Sequence, residues 1–568
     1  MGPGALAPRL GASAPPDSLV TPGAMPRPLL SVGLLSVLAG CAPPPDLPVH
    51  HLVMGGDVML GRAINVALAD PEKSPDILAA ISQTMRSGDI TLVNGEGVIA
   101  LGGTYSDKGE PRPHQHHALP EAVAMLQSAG VDVVTMGNNH AGDYGPAALI
   151  EARDRLLMAG IDISGAGQDL AEARTPVYRR VGDVVVAIIG ADLTVAGRHA
   201  ATANRAGILH FEGMEPKQQD AVVKGLLGIE AEARRHAQIV VLSPHWGENF
   251  LTAPTDLTRA IAHALIDGGY DAILGHSAHV MQGVELYHGS PIAYDAGDLV
   301  NDYPAADEAQ RAVLYDLAFT RAGAVSLEAH PLFLATDKTT PASGKVASTV
   351  LDNWVARSEA LGTTVSVVNG VGHLDCRPGG IEGPAEVVDP PARPTPTSVR
   401  LAPSETVLDA LPATAHPAVV EWPDLGLHLI GYELMLDELK IPKAGNIVRL
   451  YFRADKPLPV ELRVRIGTTD NSPDAIDDHV PGDWLLPGDR WPTGVIVQDR
   501  YLTRMLGKPE GVVTYRAGVV MQNKVVPPAT ADLPVVDGLL EIGKATWSEG
   551  APGMFTVFAA DPRSQLGQ

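Results

Sequence analysis

Short apolar runs recur through the first half of the chain, and each ends on residue types that bind metals. His51-Leu52-Val53-Met54 leads into Gly55-Gly56-Asp57, Ile90-Thr91-Leu92-Val93 into Asn94-Gly95-Glu96, and residues 131–136 into Asn138-Asn139-His140. Ile239-Val240-Val241-Leu242 leads into His245-Trp246-Gly247-Glu248, and Asp271-Ala272-Ile273-Leu274 into Gly275-His276-Ser277-Ala278-His279. Runs of this length and β-branched content predict strands, as does 184–189. Between them, residues 121–128, 147–158, 221–236 and 257–266 carry apolar residues at helical spacing. Strand and helix therefore alternate from about residue 49, the order of an α/β domain. The runs at 312–319 and 325–334 lack a long helical segment between them, which predicts a mixed sheet whose later strands pair as antiparallel hairpins.

In an open α/β sheet the carboxyl ends of neighbouring strands face one crevice. Asp, Glu, Asn and His at five such ends point to a metal site, although each residue alone has an ordinary structural reading. Asp57 would cap a helix, Glu96 would sit in a glycine turn, and a lone His at a strand end is a core residue. Asn139 offers an amide oxygen to a metal, and His140 beside it is placed to donate a proton to a leaving group. Asp143, three residues on, is placed to orient that imidazole or to cap the helix introduced by Pro146. His114, His116 and His117 follow no strand and read as a solvated or substrate-facing loop.

Residues 49–340 thus form the α/β domain. A closing helix at 351–361 and the stiff segment Pro390-Pro391-Ala392-Arg393-Pro394-Thr395-Pro396 make 341–398 a helix and linker. Beyond it, strand candidates at 448–453, 460–466, 495–497 and 511–521, divided by turns such as Pro487-Gly488-Asp489, predict an all-β sandwich over 399–568. Trp484 and Trp491 there read as core aromatics bracketing a turn rather than as sugar-stacking platforms.

Forty-two basic against sixty-six acidic residues give a net charge of −24 over 568 residues, which excludes a nucleic-acid partner. At the other end of the chain, Arg27, the apolar run 29–38 and Leu38-Ala39-Gly40-Cys41 follow the order of a secretory signal. The run is too short to span a membrane. Met25 is then the expected start, with 1–24 an over-extended beginning, 25–41 a signal peptide and 42–48 a tether. Cys376 is left without a partner for an intrachain disulfide.

Leu-Ala-Gly-Cys resembles the bacterial lipobox, whose Cys is lipidated; this implies a membrane anchor at Cys41 and a cell-envelope location facing the periplasm or at the outer membrane. Ala42 carries no retention Asp, which favours the outer membrane in a diderm host. The ordered set GGDVMLGR, NGEG, GNNHAGDYG, HWGEN, GHSAHVMQGVE and YDAGDL resembles bacterial capsule-synthesis proteins of the CapA type, over residues 49–334. These are associated with poly-γ-glutamate capsules and belong to the calcineurin-like metallophosphoesterase superfamily. The resemblance implies a four-layer αββα sandwich with a two-metal centre. Its ligands would be Asp57, Glu96 (bridging), Asn139, His245, His276 and His279, with His140 as acid or transition-state stabiliser. Met59 stands where the superfamily usually has a His, Glu96 where it has an Asp, and the last His pair is spaced one residue wider. Divalent Mn, Fe or Zn suits the donor set. The implied activity is that of a metal-dependent, phosphoesterase-like hydrolase or transferase in surface-polymer biosynthesis. An alternative is a non-catalytic accessory protein that binds an anionic or glycan polymer and assists its export, within a synthase and export complex.

Overall fold

The computed structural model describes residues 47–557 apart from 70–75, 107–114, 195–196, 213–214, 304–307, 337, 377–383, 385, 394, 403, 405, 437–445, 470–475, 483–484, 503–510 and 549–550. Cys41, His114 and Trp484 lie outside the described residues. No described helix is long and apolar enough to cross a membrane.

In the α/β part the strands that carry the sheets are β1 (His50–Met59), β2 (Ile90–Glu96), β3 (Val133–Thr135), β4 (Asp162–Ser164), β5 (Val177–Val181), β6 (Val184–Asp192), β7 (Ile239–His245) and β8 (Ala272–Leu274). They continue as β9 (Val284–Tyr287), β10 (Ser290–Ala293), β11 (Asp298–Val300), β12 (Arg311–Thr320), β13 (Gly323–Ala335), β14 (Lys338–Pro341), β15 (Ser366–Val368) and β16 (Val371–Asp375). The principal helices are α1 (Ile64–Ala69), α2 (Glu121–Ala129), α3 (Gly145–Met158), α4 (Gln219–Ala233), α5 (Asp256–Asp267) and α6 (Gly344–Ala360). One sheet runs β15-β16-β13-β12-β1-β2-β3-β4, with β11 beside β1 and β14 beside β13; the other runs β9-β10-β8-β7-β6-β5. The β1-to-β4 and β6-β7-β8-β10 pairings are parallel. The β12–β13 and β13–β16 pairings are antiparallel.

Four layers follow from where alternate side chains go. Leu52, Met54, Ile90, Leu92 and Val133 of the first sheet meet Val184, Val186, Ile188, Ile239 and Val241 of the second in one core between the sheets. The intervening residues Val53, Val93 and Val134 face away and pack under α2 and α3, with Leu126 and Leu149. Val185, Ala187, Ile189, Val240 and Leu242 likewise face α4 and α5, with Leu226 and Ile261. A period of two that feeds a separate core on each face of each sheet is what an αββα sandwich requires.

Residues 341–398 are more than the expected helix and linker. The hairpin β15–β16 adds two strands to the sheet, turning at Asn369 and Gly370, whose φ values of 53° and 81° suit a two-residue turn with both central residues left-handed. The Pro-rich stretch lies along the α/β domain: Val388 N–H donates to Arg235 O at 3.1 Å, Arg393 donates to Thr175 O at 3.0 Å, and Arg400 holds the buried Asp154. The C-terminal region forms its own core between two antiparallel sheets, around Val420, Leu429, Leu450, Val464, Val519 and Ile542. The hairpin His416–Trp422 with Leu427–Leu436 opens that fold. Trp491 is buried in it, edge-on to Phe452 at 5.9 Å, in the core role expected. Arg490 reaches from this region to Glu121 of α2 at 2.5 Å.

Candidate metal centre

Asp57 owes its position to the two glycines before it. The β1–β2 register runs Met54 with Leu92, then Asp57 with Asn94, so β1 carries one extra residue there. A Cβ on Gly56 would lie 1.7 Å from Gly297 O, and one on Gly55 would lie 2.6 Å from Leu299. Only glycine allows the Asp295–Leu299 segment to pass this close. The result is a parallel pairing in which Asp57 stands opposite Asp298.

The other strand ends converge on Asp57. Its Oδ1 accepts from Asn94 Nδ2 at 2.7 Å and its Oδ2 from Ser277 N–H at 3.0 Å. His276 Nδ1 lies 3.4 Å from Oδ1, His245 Nδ1 3.9 Å from Oδ1, and His279 Nδ1 3.5 Å from Oδ2. His245 Nε2 is 3.0 Å from Asn139 Oδ1 and 3.7 Å from Glu96 Oε1. His279 Nδ1 is 3.8 Å from Glu96 Oε2 and 3.0 Å from Asp298 Oδ1. Ser277 and His279 both hold positive φ, 113° and 59°. For non-glycine residues that conformation costs about 1–3 kcal/mol each and persists only where the surroundings enforce it.

Two groups of ligand atoms result, each within 4.8 Å: Asp57, His245 and His276, and Asp57, Glu96, His279 and Asp298. All six residues are almost fully buried. Burial pushes Asp57 up to about 7 and raises Asp298 and the adjoining Asp295, because ionised carboxyls are crowded together away from water. Burial pulls His276 down to about 3, leaving it neutral, as a ligand must be. Crowded buried carboxylates beside a neutral His276 fit a divalent cation.

The residues expected from the sequence, Asp57, Glu96, Asn139, His245, His276 and His279, lie together in one crevice. Asp57, rather than Glu96, is the carboxylate common to both groups. Asp298 was not among the expected ligands, although it follows β10 as the other candidates follow their strands. It completes the group formed with Asp57, Glu96 and His279. Asn94 was also missed: it supports Asp57 and is itself held by Asn138, whose Nδ2 donates to Asn94 Oδ1 at 3.0 Å. Arg62, in the GGDVMLGR stretch, pairs with Asp302 and lies 5.9 Å from the Tyr303 ring at the crevice edge.

His140 stands beside this centre. Its Nδ1 is 2.7 Å from Asp143 Oδ2 and its Nε2 3.8 Å from Glu96 Oε1. Its ring stacks on His116 at 3.9 Å with 7° between planes, and Asp143 Oδ2 also accepts from His116 N–H at 2.9 Å. His116 and His117 are therefore buried rather than solvated: the chain there pairs His117 with Val98, which draws the loop into the core.

A four-layer αββα sandwich with buried His and carboxylate side chains at its parallel strand ends defines an α/β protein with a candidate divalent-metal centre. Residues 51–303 match the family described as bacterial capsule synthesis protein PGA_cap, and the chain belongs to that family. It is 31% identical over 295 residues to a Mycobacterium tuberculosis protein named "Probable polyglutamine synthesis accessory protein", covering 45% of this chain and 75% of the relative. It is 29% identical over 248 residues to the "PGA biosynthesis protein CapA" of Bacillus subtilis, covering 44% of this chain and 62% of that one. Among solved structures, a hypothetical protein of Thermus thermophilus aligns at 17% identity and TM-score 0.31, over 50% of this chain and 98% of its own. The NAD nucleotidase of Haemophilus influenzae aligns at 13% and 0.29, over 54% and 62%. At such TM-scores the fold is read from the sheets and cores described above.

Proposed function

We propose that the protein is a metal-dependent hydrolase or transferase of the bacterial cell envelope, working in the biosynthesis of a capsule or surface polymer of the poly-γ-glutamate type. The observation that carries this reading is Asp57, a member of both buried ligand groups, with the His140–Asp143 pair at their edge. Asp57, His245 and His276 would hold one divalent ion, and Asp57, Glu96, His279 and Asp298 a second, with Asn139 beside His245. Such ions supply Lewis acidity and offset the charge of a phosphoryl or carboxyl-type substrate. The chain's own part is proton management: Asp143 accepts from His140 Nδ1–H, which leaves Nε2 to give its proton to a leaving group. The donor set suits Mn, Fe or Zn.

The word "accessory" in the mycobacterial relative's name favours the competing reading, a non-catalytic protein that binds an anionic polymer and assists its export. One experiment separates the two. Purified protein is assayed for metal content and for hydrolysis of bis(p-nitrophenyl) phosphate, together with Glu96→Ala and His245→Ala. Bound metal and turnover that both disappear in the variants support the enzyme; a metal-loaded but inert protein supports the accessory role. Full metal occupancy in both variants overturns the ligand assignment itself. The reading also takes Cys41 as a lipid anchor, from the Leu-Ala-Gly-Cys order. Mass spectrometry of the native protein should find an acylated Cys41, and an unmodified Met25 or Met1 terminus would refute it.

A further inference from the structure

The first sheet carries a second His and carboxylate cluster, on its outer face and away from the strand ends that build the centre. On β12, Leu314 faces the outer helix layer, and Asp316 follows it on the same face. On β13, Leu332 and Leu334 face that layer, and Glu328 and His330 share their side; on β1, His51 shares the side of Val53. The alternating residues Leu52, Leu317, Leu327 and Leu374 face the core between the sheets. Register aligns the cluster across the strands: Val53 pairs with Asp316, Asp316 with Glu328, and Glu328 with His373. The helices leave these polar residues half-buried.

Their ligand atoms are already close. One atom each from Asp316, Glu328 and His330 lies within 4.8 Å of the others. His330 Nε2 is 3.4 Å from Glu328 Oε2, His51 Nδ1 is 2.9 Å from Asp316 Oδ1, and His373 Nδ1 is 3.9 Å from Glu328 Oε1. Zinc at about 2.0–2.1 Å from N and O donors in a tetrahedron sets neighbouring donors roughly 3.3 Å apart, close to the 3.4 Å between His330 and Glu328, with Asp316 within 4.8 Å of both. Among the described residues the ion-pair partners of Asp316 and Glu328 are all histidines. The two carboxylates thus face each other with no Lys or Arg between them. A cavity of about 180 Å³ borders His330, Leu314 and Val371, so solvent reaches the His330 side of the cluster.

We propose that Asp316, Glu328 and His330 form a second divalent-metal site of the zinc type, separate from the buried centre. His51 and His373 would orient its two carboxylates, as partners outside the ligand set commonly do. The ion would tie β12 to β13 and, through the orienting histidines, to β1 and β16. Its role would be to hold the strands together, since a ligand bound only by the folded state stabilises that state.

The test uses the full chain stripped of metal and titrated with Zn²⁺ against a chromophoric chelator. A background of Asp57→Asn with His245→Ala and His279→Ala removes two donors from each group of the buried centre. In that background one equivalent of tightly bound zinc is expected to remain. It should weaken at least tenfold on adding His330→Ala or, separately, Glu328→Gln, and zinc should cease to raise the thermal midpoint. Circular dichroism of the metal-free variants checks that the fold persists; both side chains are half-exposed, so Glu328→Gln serves if His330→Ala does not fold. No tight zinc in the background, or zinc retained with unchanged affinity in both outer variants, overturns the proposal.

Discussion

Replacing His140 tests the enzymatic reading most directly. The side chain is 6% exposed, stacked on His116, and linked through Nδ1 to Asp143 at 2.7 Å, while Nε2 points toward Glu96. His140→Ala removes the proton donor but no member of either ligand group. A general acid contributes about 10²–10⁴-fold, or roughly 2.7–5.4 kcal/mol at about 1.36 kcal/mol per tenfold. Asp143→Asn should do less. If the amide oxygen takes the place of Oδ2, it still accepts from His140 and from His116 N–H, and only the charge is lost. A charge-assisted bond is roughly twice as strong as a neutral one, so about 1–1.5 kcal/mol, or close to tenfold in kcat, should go. Because Asp143 acts through His140, the double variant should be no slower than His140→Ala alone. The assay is kcat on bis(p-nitrophenyl) phosphate with metal-loaded protein, with bound metal measured in parallel. Full activity in His140→Ala, loss of its metal, or a further tenfold fall in the double variant would each refute the reasoning.

Trp354 is fully buried between α6 and the sheets, with its Nε1–H donating to Tyr315 OH at 3.2 Å. Trp354→Ala should cost about 3–5 kcal/mol in urea unfolding, and a cost under 1 kcal/mol would contradict that packing. Burial pulls His117 down to about 3, outweighing the opposing pull of the nearby Ala100 and Gly102 backbone. The unfolded chain, with an ordinary value near 6.5, binds more protons below that pH, so His117 contributes stability that is present above about 6.5 and lost as pH falls toward 3. Between pH 7.5 and 5.5 it should account for about 1.4 kcal/mol of the loss, and His117→Gln should flatten the profile by that order; an unchanged profile counts against the burial argument. Arg400 is half-exposed but holds Asp154, which is fully buried beside Arg153. Arg400→Ala should release the Pro-rich strap and speed thermolysin cleavage on the amino side of Val399 and Leu401, and an unchanged digestion pattern would show that the other strap contacts suffice.

The alternation of strand and helix was legible because each strand feeds two cores, so hydrophobic runs such as 184–189 are continuous and flanked by helical spacing. The helices at 121–128 and 257–266 appear within one residue or so of their expected ends, as Glu121–Ala129 and Asp256–Asp267. The edge hairpin at 366–375 was hidden by its shortness and exposed first strand: β15 is three residues with Val367 and Val368 47% and 55% exposed, so its apolar positions mark no buried face. Its Asn-Gly turn was the available signal. The docking of the Pro-rich stretch was not legible at all. Composition fixes its stiffness, but its partners Thr175, Arg235 and Asp154 lie 150 residues or more earlier in the chain.

The site shows the same division between what a motif fixes and what register fixes. Six candidate ligands were legible as polar residues at strand ends, but which carboxylate serves both groups depends on the extra residue at Gly55-Gly56 and on β11 pairing with β1. That pairing sets Asp298 opposite Asp57 and makes the two donor sets chemically unequal. One offers a single carboxylate with two imidazoles; the other offers three carboxylates with one imidazole. Imidazole-rich sites suit Zn, Cu or Fe, whereas carboxylate-rich sites suit harder ions such as Mn. The asymmetry predicts that the two positions prefer different metals when both Zn²⁺ and Mn²⁺ are offered. His276→Ala should deplete mainly zinc, because it removes one of two nitrogen donors from the first group. Asp298→Asn should deplete mainly manganese, because it removes one of three anionic donors from the second. Elemental analysis of the two variants after equilibration with both ions reads this directly. Equal loss of the same metal from both variants would mean that the groups act as one site, and that Asp57 does not divide two ions.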